Sequence, residues 1–218
     1  MIILAGGESS RMGSDKAFLV HRGRAFISGI AAQMSRVSDD VVVMTGKKDV
    51  RLFEPLLDKE VRIFEDSEYV SNPLGGILSG LEHVRNANTA LLACDAPLVR
   101  AEVIRQLSSM LGSHAAAVPI WEKGVISSME PLCAVYRVGQ AKKAASAALV
   151  GTRKTVMQMV TLMDDVLYVD VSLLRRTDPS LDSLVDVNTR DDFAALGRRP
   201  TSPALVSKAT IRTRRRGL

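Results

Sequence analysis

Apolar positions along this chain follow two alternating rhythms. Short and nearly unbroken runs occur at Met1-Ile-Ile-Leu4, Asp40-Val-Val-Val-Met44, Val61-Arg-Ile-Phe64 and Thr89-Ala-Leu-Leu-Ala-Cys94, as in strands of a parallel sheet covered on both faces. Between them the spacing turns helical. Phe26, Ile30 and Met34 recur every four residues and predict a helix over about residues 25–36, a short helix starts near Asp49, and Ile77, Leu78, Leu81 and Val84 form the inner side of one over about 73–85. Residues 1–64 thus form a βαβαβ half, the usual start of a nucleotide-binding sheet. The alternation continues with a helix over about 100–111 and a strand at 115–119. A polar, glycine-bearing excursion at 120–129 interrupts it, and a strand follows at 130–136. An Ala-rich helix at 138–150, a second helix carrying Val156, Met157, Val160 and Met163, and a strand at 167–170 come next. Thr189 then caps a last helix over 190–196, with Asp192 at the capping-partner position. Strands and helices in turn specify an α/β fold with a mostly parallel central sheet.

Length and composition narrow this further. A chain of 218 residues suits one α/β domain, and 46% hydrophobic residues with 4% aromatics suit a core of aliphatic side chains and methionine. We expect that domain to span 1–196, followed by a basic, disordered tail at 197–218. The net charge of +5 belongs to the tail: its seven cations and no acid leave residues 1–196 at −2, so nucleic acid is not an expected partner. No apolar run approaches the ~20 residues of a membrane span, and Met1-Ile-Ile-Leu4 lacks the basic start of a signal peptide, so a cytoplasmic protein is expected. Cys94 and Cys133 lie inside strand-like runs and are expected to be free buried thiols; His21, His83 and His114 are scattered and take no role.

The chemistry is concentrated after the first strand, in Leu4-Ala-Gly-Gly-Glu-Ser-Ser-Arg-Met-Gly-Ser-Asp-Lys-Ala-Phe18. Gly6, Gly7 and Gly13 let the backbone come close to a ligand and turn amide groups toward an anion, while Arg11 and Lys16 supply the charge that a polyphosphate demands. The spacing is neither that of a Walker A loop nor of the Gly-x-Gly-x-x-Gly dinucleotide fingerprint. Other candidates stand at later strand ends, where ligands of open α/β sheets gather. Asp66 is placed either to accept from the amino and imino groups of a guanine edge or to cap a turn. Gly75 and Gly76 would weaken the helix they open unless a ligand or backbone comes close. Asp95, at the end of a buried strand and before Pro97, is placed to hold a hard cation over a triphosphate or to cap a helix.

The segment Leu-Ala-Gly-Gly-x-Ser-x-Arg-Met-Gly-x-Asp-Lys-Ala resembles the signature of the molybdenum cofactor guanylyltransferases. Pro73-Leu-Gly-Gly76, Cys94-Asp-Ala-Pro97, Pro131-Leu-Cys-Ala-Val-Tyr136 and Asp186-Val-Asn-Thr189 follow in the order of the family's other motifs. The resemblance implies a three-layer α/β/α Rossmann-like nucleotidyltransferase fold and an enzyme that transfers GMP from GTP to the terminal phosphate of molybdopterin, releases pyrophosphate and uses Mg²⁺. It implies that Arg11, Lys16 and Asp95 are catalytic, that Leu4, Ala5, Gly6, Gly7, Arg11, Lys16, Asp66, Gly75, Gly76 and Asp95 bind GTP, and that Asp95 with Asp186 or Asn188 holds the metal. The excursion at 120–129 becomes the site of pterin contact, with Lys123, Arg137, Arg153 and Lys154 as possible phosphate partners. Contact with cofactor-insertion proteins is implied by family alone. Two departures stand out: the family often has Asn after the second strand where this chain has Met44-Thr45-Gly46, and it usually has Asn where this chain has Asp186. Sister chemistries on the same fold are a cytidylyltransferase for the same cofactor and a guanylyltransferase for adenosylcobinamide phosphate. The former tends to carry Ala-Gly in place of Gly6-Gly7. A non-catalytic nucleotide or pterin carrier is the remaining alternative, and retention of Gly6, Arg11, Lys16 and Asp95 together argues against it.

Overall fold

A computed structural model of the chain describes residues 1–7, 15–67, 72–123 and 126–197. The first apolar run is β1 (Ile2–Leu4), followed by a small hairpin of β2 (Val20–His21) and β3 (Arg24–Ala25), whose turn places Arg22 and Gly23 at positive φ. Next come α1 (Phe26–Met34), β4 (Val42–Met44), β5 (Arg62–Phe64), α2 (Pro73–His83), β6 (Asn88–Ala93) and α3 (Ala101–Met110). The second half holds β7 (Ala116–Lys123), β8 (Ile126–Met129), β9 (Cys133–Arg137), α4 (Val138–Val150), α5 (Val156–Thr161), β10 (Val166–Asp170) and α6 (Arg190–Leu196).

Among the described residues the central sheet has eight strands in the order β10-β7-β9-β6-β1-β4-β5, with β8 paired to β7. β1 runs parallel to β4 and β6, β4 parallel to β5, and β10 parallel to β7. Only β8 and β9 run against their neighbours. Strand alternation divides the core into two layers. Ile3, Val43, Leu92, Ala117 and Val135 face α1 and α3, whereas Ile2, Val42, Met44, Leu91, Val118 and Tyr136 face α2, α4 and α5. The result is the expected α/β/α sandwich. Gly80 shows how tightly the second layer closes: a Cβ there would lie 2.8 Å from Ile2 Cγ2 and 3.1 Å from Met44 Cγ, so glycine lets α2 sit on the sheet.

Two expectations are corrected. Residues 120–123 and 126–129 do not interrupt the sheet: β7 continues to Lys123 and pairs with β8 as a hairpin, from Ile120↔Met129 to Lys123↔Ile126. The sequence hid this, because residues 122–128 hold no apolar run longer than two residues. The strand expected from Glu130 begins at Cys133, after a turn closed by the Cys133 amide on the Glu130 carbonyl at 3.2 Å. Both cysteines are free and buried, and burial pushes each thiol up to about 12, which leaves Cys94 unreactive beside Asp95. No helix among the described residues is long and apolar enough to cross a membrane.

Away from the strand ends that matter below, Asp40 fastens the opposite edge of the sheet. It is buried, its Oδ1 pairs with Arg62 and its Oδ2 accepts from the Arg85 amide at 2.6 Å. Burial by itself would raise the Asp40 carboxyl, but the Arg85 amide and the Arg62 guanidinium outweigh it and hold the group below its ordinary 3.8. The native state therefore releases this proton more readily than the unfolded chain. The stability it contributes is complete above the ordinary value and is lost as pH falls through the lower native one. Asp40→Ala is expected to cost about 3 kcal/mol at neutral pH, by leaving Arg62 half-buried without its partner. Urea unfolding at pH 7 and pH 3 checks both statements, since the variant's deficit should shrink in acid.

Candidate functional site

The sheet order reverses at β1, whose neighbours β4 and β6 are reached by connections leading in opposite directions. Such a switch point leaves a crevice beyond the carboxyl ends of the strands. Here it opens into a cavity of about 630 Å³ lined by Leu4, Gly6, Gly7, Lys16, Lys48, Asp66, Asn72, Gly76 and Asp95, among others. Three connections build its walls.

The first is the loop after β1. Gly6 and Gly46 cross back to back: a Cβ on Gly6 would lie 2.6 Å from Gly46 Cα, and one on Gly46 would lie 2.6 Å from Gly6 Cα. Gly46 also has φ +70, so two independent constraints demand glycine there. Gly46→Ala is expected to lower stability by about 2 kcal/mol, read by chemical denaturation, because neither backbone can yield to the new methyl group. Beyond residues 8–14, a short turn presents Lys16, with Asp15 as its cap accepting from the Ala17 amide at 3.1 Å.

The second wall joins the end of β5 to α2. Asp66 is tied to Gly46 from both sides, its amide donating to the Gly46 carbonyl at 2.8 Å and its Oδ1 accepting from the Gly46 amide at 3.1 Å. Burial raises its carboxyl above the ordinary value, against the pull of the Gly46 amide and Lys48. Its other oxygen lies 2.7 Å from where a Cβ of Gly76 would stand, so Gly76 is glycine to admit this carboxylate. Asn72 caps α2 by accepting from the Gly75 amide at 3.0 Å.

The third wall carries the charge. Asp95 follows β6, and its carbonyl accepts from the Val187 amide at 2.8 Å, which draws residues 186–188 across the cleft. Lys16 Nζ lies between them, 3.0 Å from Asp95 Oδ2 and 2.7 Å from Asn188 Oδ1. Asp186 lies two positions before Asn188 and is exposed as a residue. The cleft strips enough water from its carboxyl, and Asp95 and Glu130 repel its charge strongly enough, to push it up to about 6 despite Lys16. Carboxylates crowded together with an amide oxygen, and an ammonium already between two of the donors, make a setting for a hard cation. Asp95, Asp186 and Asn188 suit Mg²⁺, which needs only one or two carboxylates when phosphate completes its shell. Among the described residues no three His, Cys, Asp or Glu side chains form a self-sufficient cage.

Leu4, Gly6, Gly7, Lys16, Asp66, Gly76 and Asp95 thus line one cavity. Ala5 is buried instead, its amide donating to the Met44 carbonyl at 2.8 Å and its own carbonyl accepting from Lys48. Gly75 is buried in the first turn of α2. Arg11 lies outside the described residues, as do residues 198–218 of the expected tail. Arg137 is corrected: it pairs in register with Asn88 at the start of β6, the end remote from Asp95, and donates to the Gly112 and His114 carbonyls at 2.6 and 3.0 Å. It is no partner for a phosphate in this cleft. Arg153 and Lys154 are exposed between α4 and α5, and the side chain of Lys123 lies outside what is described. Sequence reasoning passed over Lys48, which lines the cavity, and Glu130, which accepts from Trp121 Nε1 at 2.7 Å. The position of Lys48 just beyond β4 was a usable signal; that of Glu130 depended on the unrecognised hairpin.

Residues 1–166 match the sequence model of the MobA-like NTP transferase domain. A probable molybdenum cofactor guanylyltransferase of Methanosarcina mazei is 35% identical over 199 residues, covering 88% of this chain and 87% of that protein. One from Methanothermobacter thermautotrophicus is 31% identical, covering 88% and 95%. Among solved structures, molybdopterin-guanine dinucleotide biosynthesis protein A from Archaeoglobus fulgidus superposes with a TM-score of 0.72 at 23% identity, covering 90% of this chain and 96% of that one. A 4-diphosphocytidyl-2C-methyl-D-erythritol synthase from Anaerococcus prevotii superposes equally well, at 0.72 and 14% identity, covering 90% and 93%. These two structures bear on the fold.

Proposed function

Because the chain belongs to the MobA-like NTP transferase family and is a nucleotidyltransferase, we propose that it transfers GMP from GTP to the terminal phosphate of molybdopterin with release of pyrophosphate. The observation that carries this reading is the convergence of Lys16, Asp95 and Asn188 on one side of a cavity whose other side presents Asp66. One side handles phosphate, the other a base. Asp66, which lines the cavity, accepts from the ring N–H and amino group of guanine. Leu4, Gly6 and Gly7 let the nucleoside and its phosphates lie against the end of β1.

Lys16 exchanges its contacts with Asp95 and Asn188 for oxygens of the triphosphate, and Arg11 neutralises the β,γ side. Asp95, with Asp186 or Asn188, would hold Mg²⁺, which when bound supplies Lewis-acid stabilisation of charge on the α-phosphate and the departing pyrophosphate. The acceptor phosphate attacks in line. As a phosphate monoester it is already ionised, so no side chain has to remove a proton. The protein contributes positioning and electrostatics.

The test is pyrophosphate release from GTP, CTP and ATP with Mg²⁺, with and without molybdopterin. Release with GTP and molybdopterin together is the expected result. Turnover with CTP in its place would overturn the assignment of base. Binding of GTP without turnover on molybdopterin would overturn the acceptor and direct attention to adenosylcobinamide phosphate.

A further inference from the structure

Lys48 occupies a position that the phosphate reading does not use. Its ammonium donates to the carbonyls of Ala5 and Gly7, the latter at 3.3 Å, and pairs with Asp15 Oδ2 at 2.7 Å. Ala5 and Gly7 flank Gly6 at the end of β1, whereas Asp15 caps the turn that begins with Lys16. One side chain from the β4–β5 connection therefore joins the two described stretches on either side of residues 8–14. The pair is sheltered, with 21% of the Lys48 side chain and 26% of the Asp15 side chain exposed, so water screens it less than a surface ion pair.

This geometry has a direct consequence for Lys16. Asp15 spends Oδ1 on the Ala17 amide and Oδ2 on Lys48, so the direction in which the turn aims Lys16 is referred to the β1 strand end through Lys48. The other two contacts of Lys48 satisfy the carbonyl oxygens of Ala5 and Gly7, on either side of Gly6 at the wall of the cavity. We propose that Lys48 is a positioning residue that holds the Lys16 turn against the glycine end of β1 and so sets the affinity for a nucleoside triphosphate. The proposal rests on the nucleotidyltransferase reading of the same cleft.

Lys48→Met tests it, with two readouts. In the ligand-free protein, amide hydrogen exchange at Ala17, Phe18 and Leu19 is expected to speed up at least about tenfold, while Val43 and Leu92 in the sheet stay unchanged. With Mg-GTP, affinity is expected to fall about tenfold, the effect of one charge-assisted hydrogen bond, and Lys48→Arg should recover part of it. A cycle with Asp15→Asn separates the routes. If Lys48 acts through Asp15, the double variant binds no more weakly than the worse single one. Additive losses would mean that Lys48 meets the nucleotide itself and would overturn the proposal. So would unchanged exchange in the Lys16 turn, or exchange that rises equally throughout the sheet. A parent protein that binds no nucleoside triphosphate would instead refute the functional reading. The exchange result would still decide whether Lys48 holds the turn.

Discussion

Asp95→Ala is expected to lower turnover about a thousandfold or more while leaving the thermal midpoint within a few degrees of the parent. Among the described residues the side chain makes one ion pair, with Lys16, and it is 23% exposed, so little packing is lost with it. Its backbone carbonyl, which the substitution keeps, is what holds Val187 and the 186–188 segment. Loss of activity would therefore report loss of charge in the cleft and not loss of fold. Asp186 offers an internal check. Because Asp95 is one of the charges that push its carboxyl up to about 6, removing Asp95 should bring that value down, observable by NMR titration of the ligand-free protein. A variant that keeps full transferase activity would sink the mechanism.

Lys16→Met is expected to reduce kcat/KM for the nucleotide about a hundredfold or more, with both affinity and turnover affected. The ammonium sits at 3.0 Å from Asp95 and 2.7 Å from Asn188, where it offsets the negative charge that crowds Asp186. Methionine keeps the stem and removes the charge, so the ligand-free site becomes more negative and the triphosphate loses its cation. Steady-state kinetics over a range of GTP and Mg²⁺ concentrations measures this. Arginine should rescue poorly: a planar guanidinium is larger than the compact ammonium that now lies between two oxygens. A Lys16→Met enzyme whose only defect was in the acceptor's KM would contradict the assignment of Lys16 to the triphosphate.

Much of the fold was legible in the chain. Nearly unbroken apolar runs marked β1, β4 and β6 because both faces of those strands are covered, and the four-residue spacing marked α1 because one stripe faces the core. β5, half-buried at the sheet edge, was marked by the shorter apolar signal around Arg62. Thr189 and Asp192 signalled α6 by local chemistry, and the full capping box is present. The β7–β8 hairpin was not legible, since residues 122–128 hold no apolar run longer than two residues and the pairing of β8 with β7 is not a local pattern. Glu130 was missed for the same reason. Arg137 was misjudged because β9 enters the sheet antiparallel, a fact about pairing that no local spacing contains.

For the site, strand ends and residue types pointed to Lys16, Asp66 and Asp95, because in a parallel sheet every strand delivers its carboxyl end to the same side. Short-range chemistry was enough for that. What joined them was decided elsewhere. Lys16 meets Asp95 across 79 positions and Asn188 across 172, and these meetings follow from the order of strands, which sets β6 beside β1 and lets the Asp95 carbonyl draw in Val187. The reason for glycine at 6, 46 and 76 likewise appears only when the backbones cross and a carboxylate comes to rest where a methyl would be. Periodicity and caps are properties of neighbouring residues, so the sequence by itself determined most of the elements and the class of chemistry. Contacts between distant segments depend on which strands lie side by side, and only the tertiary structure decided those.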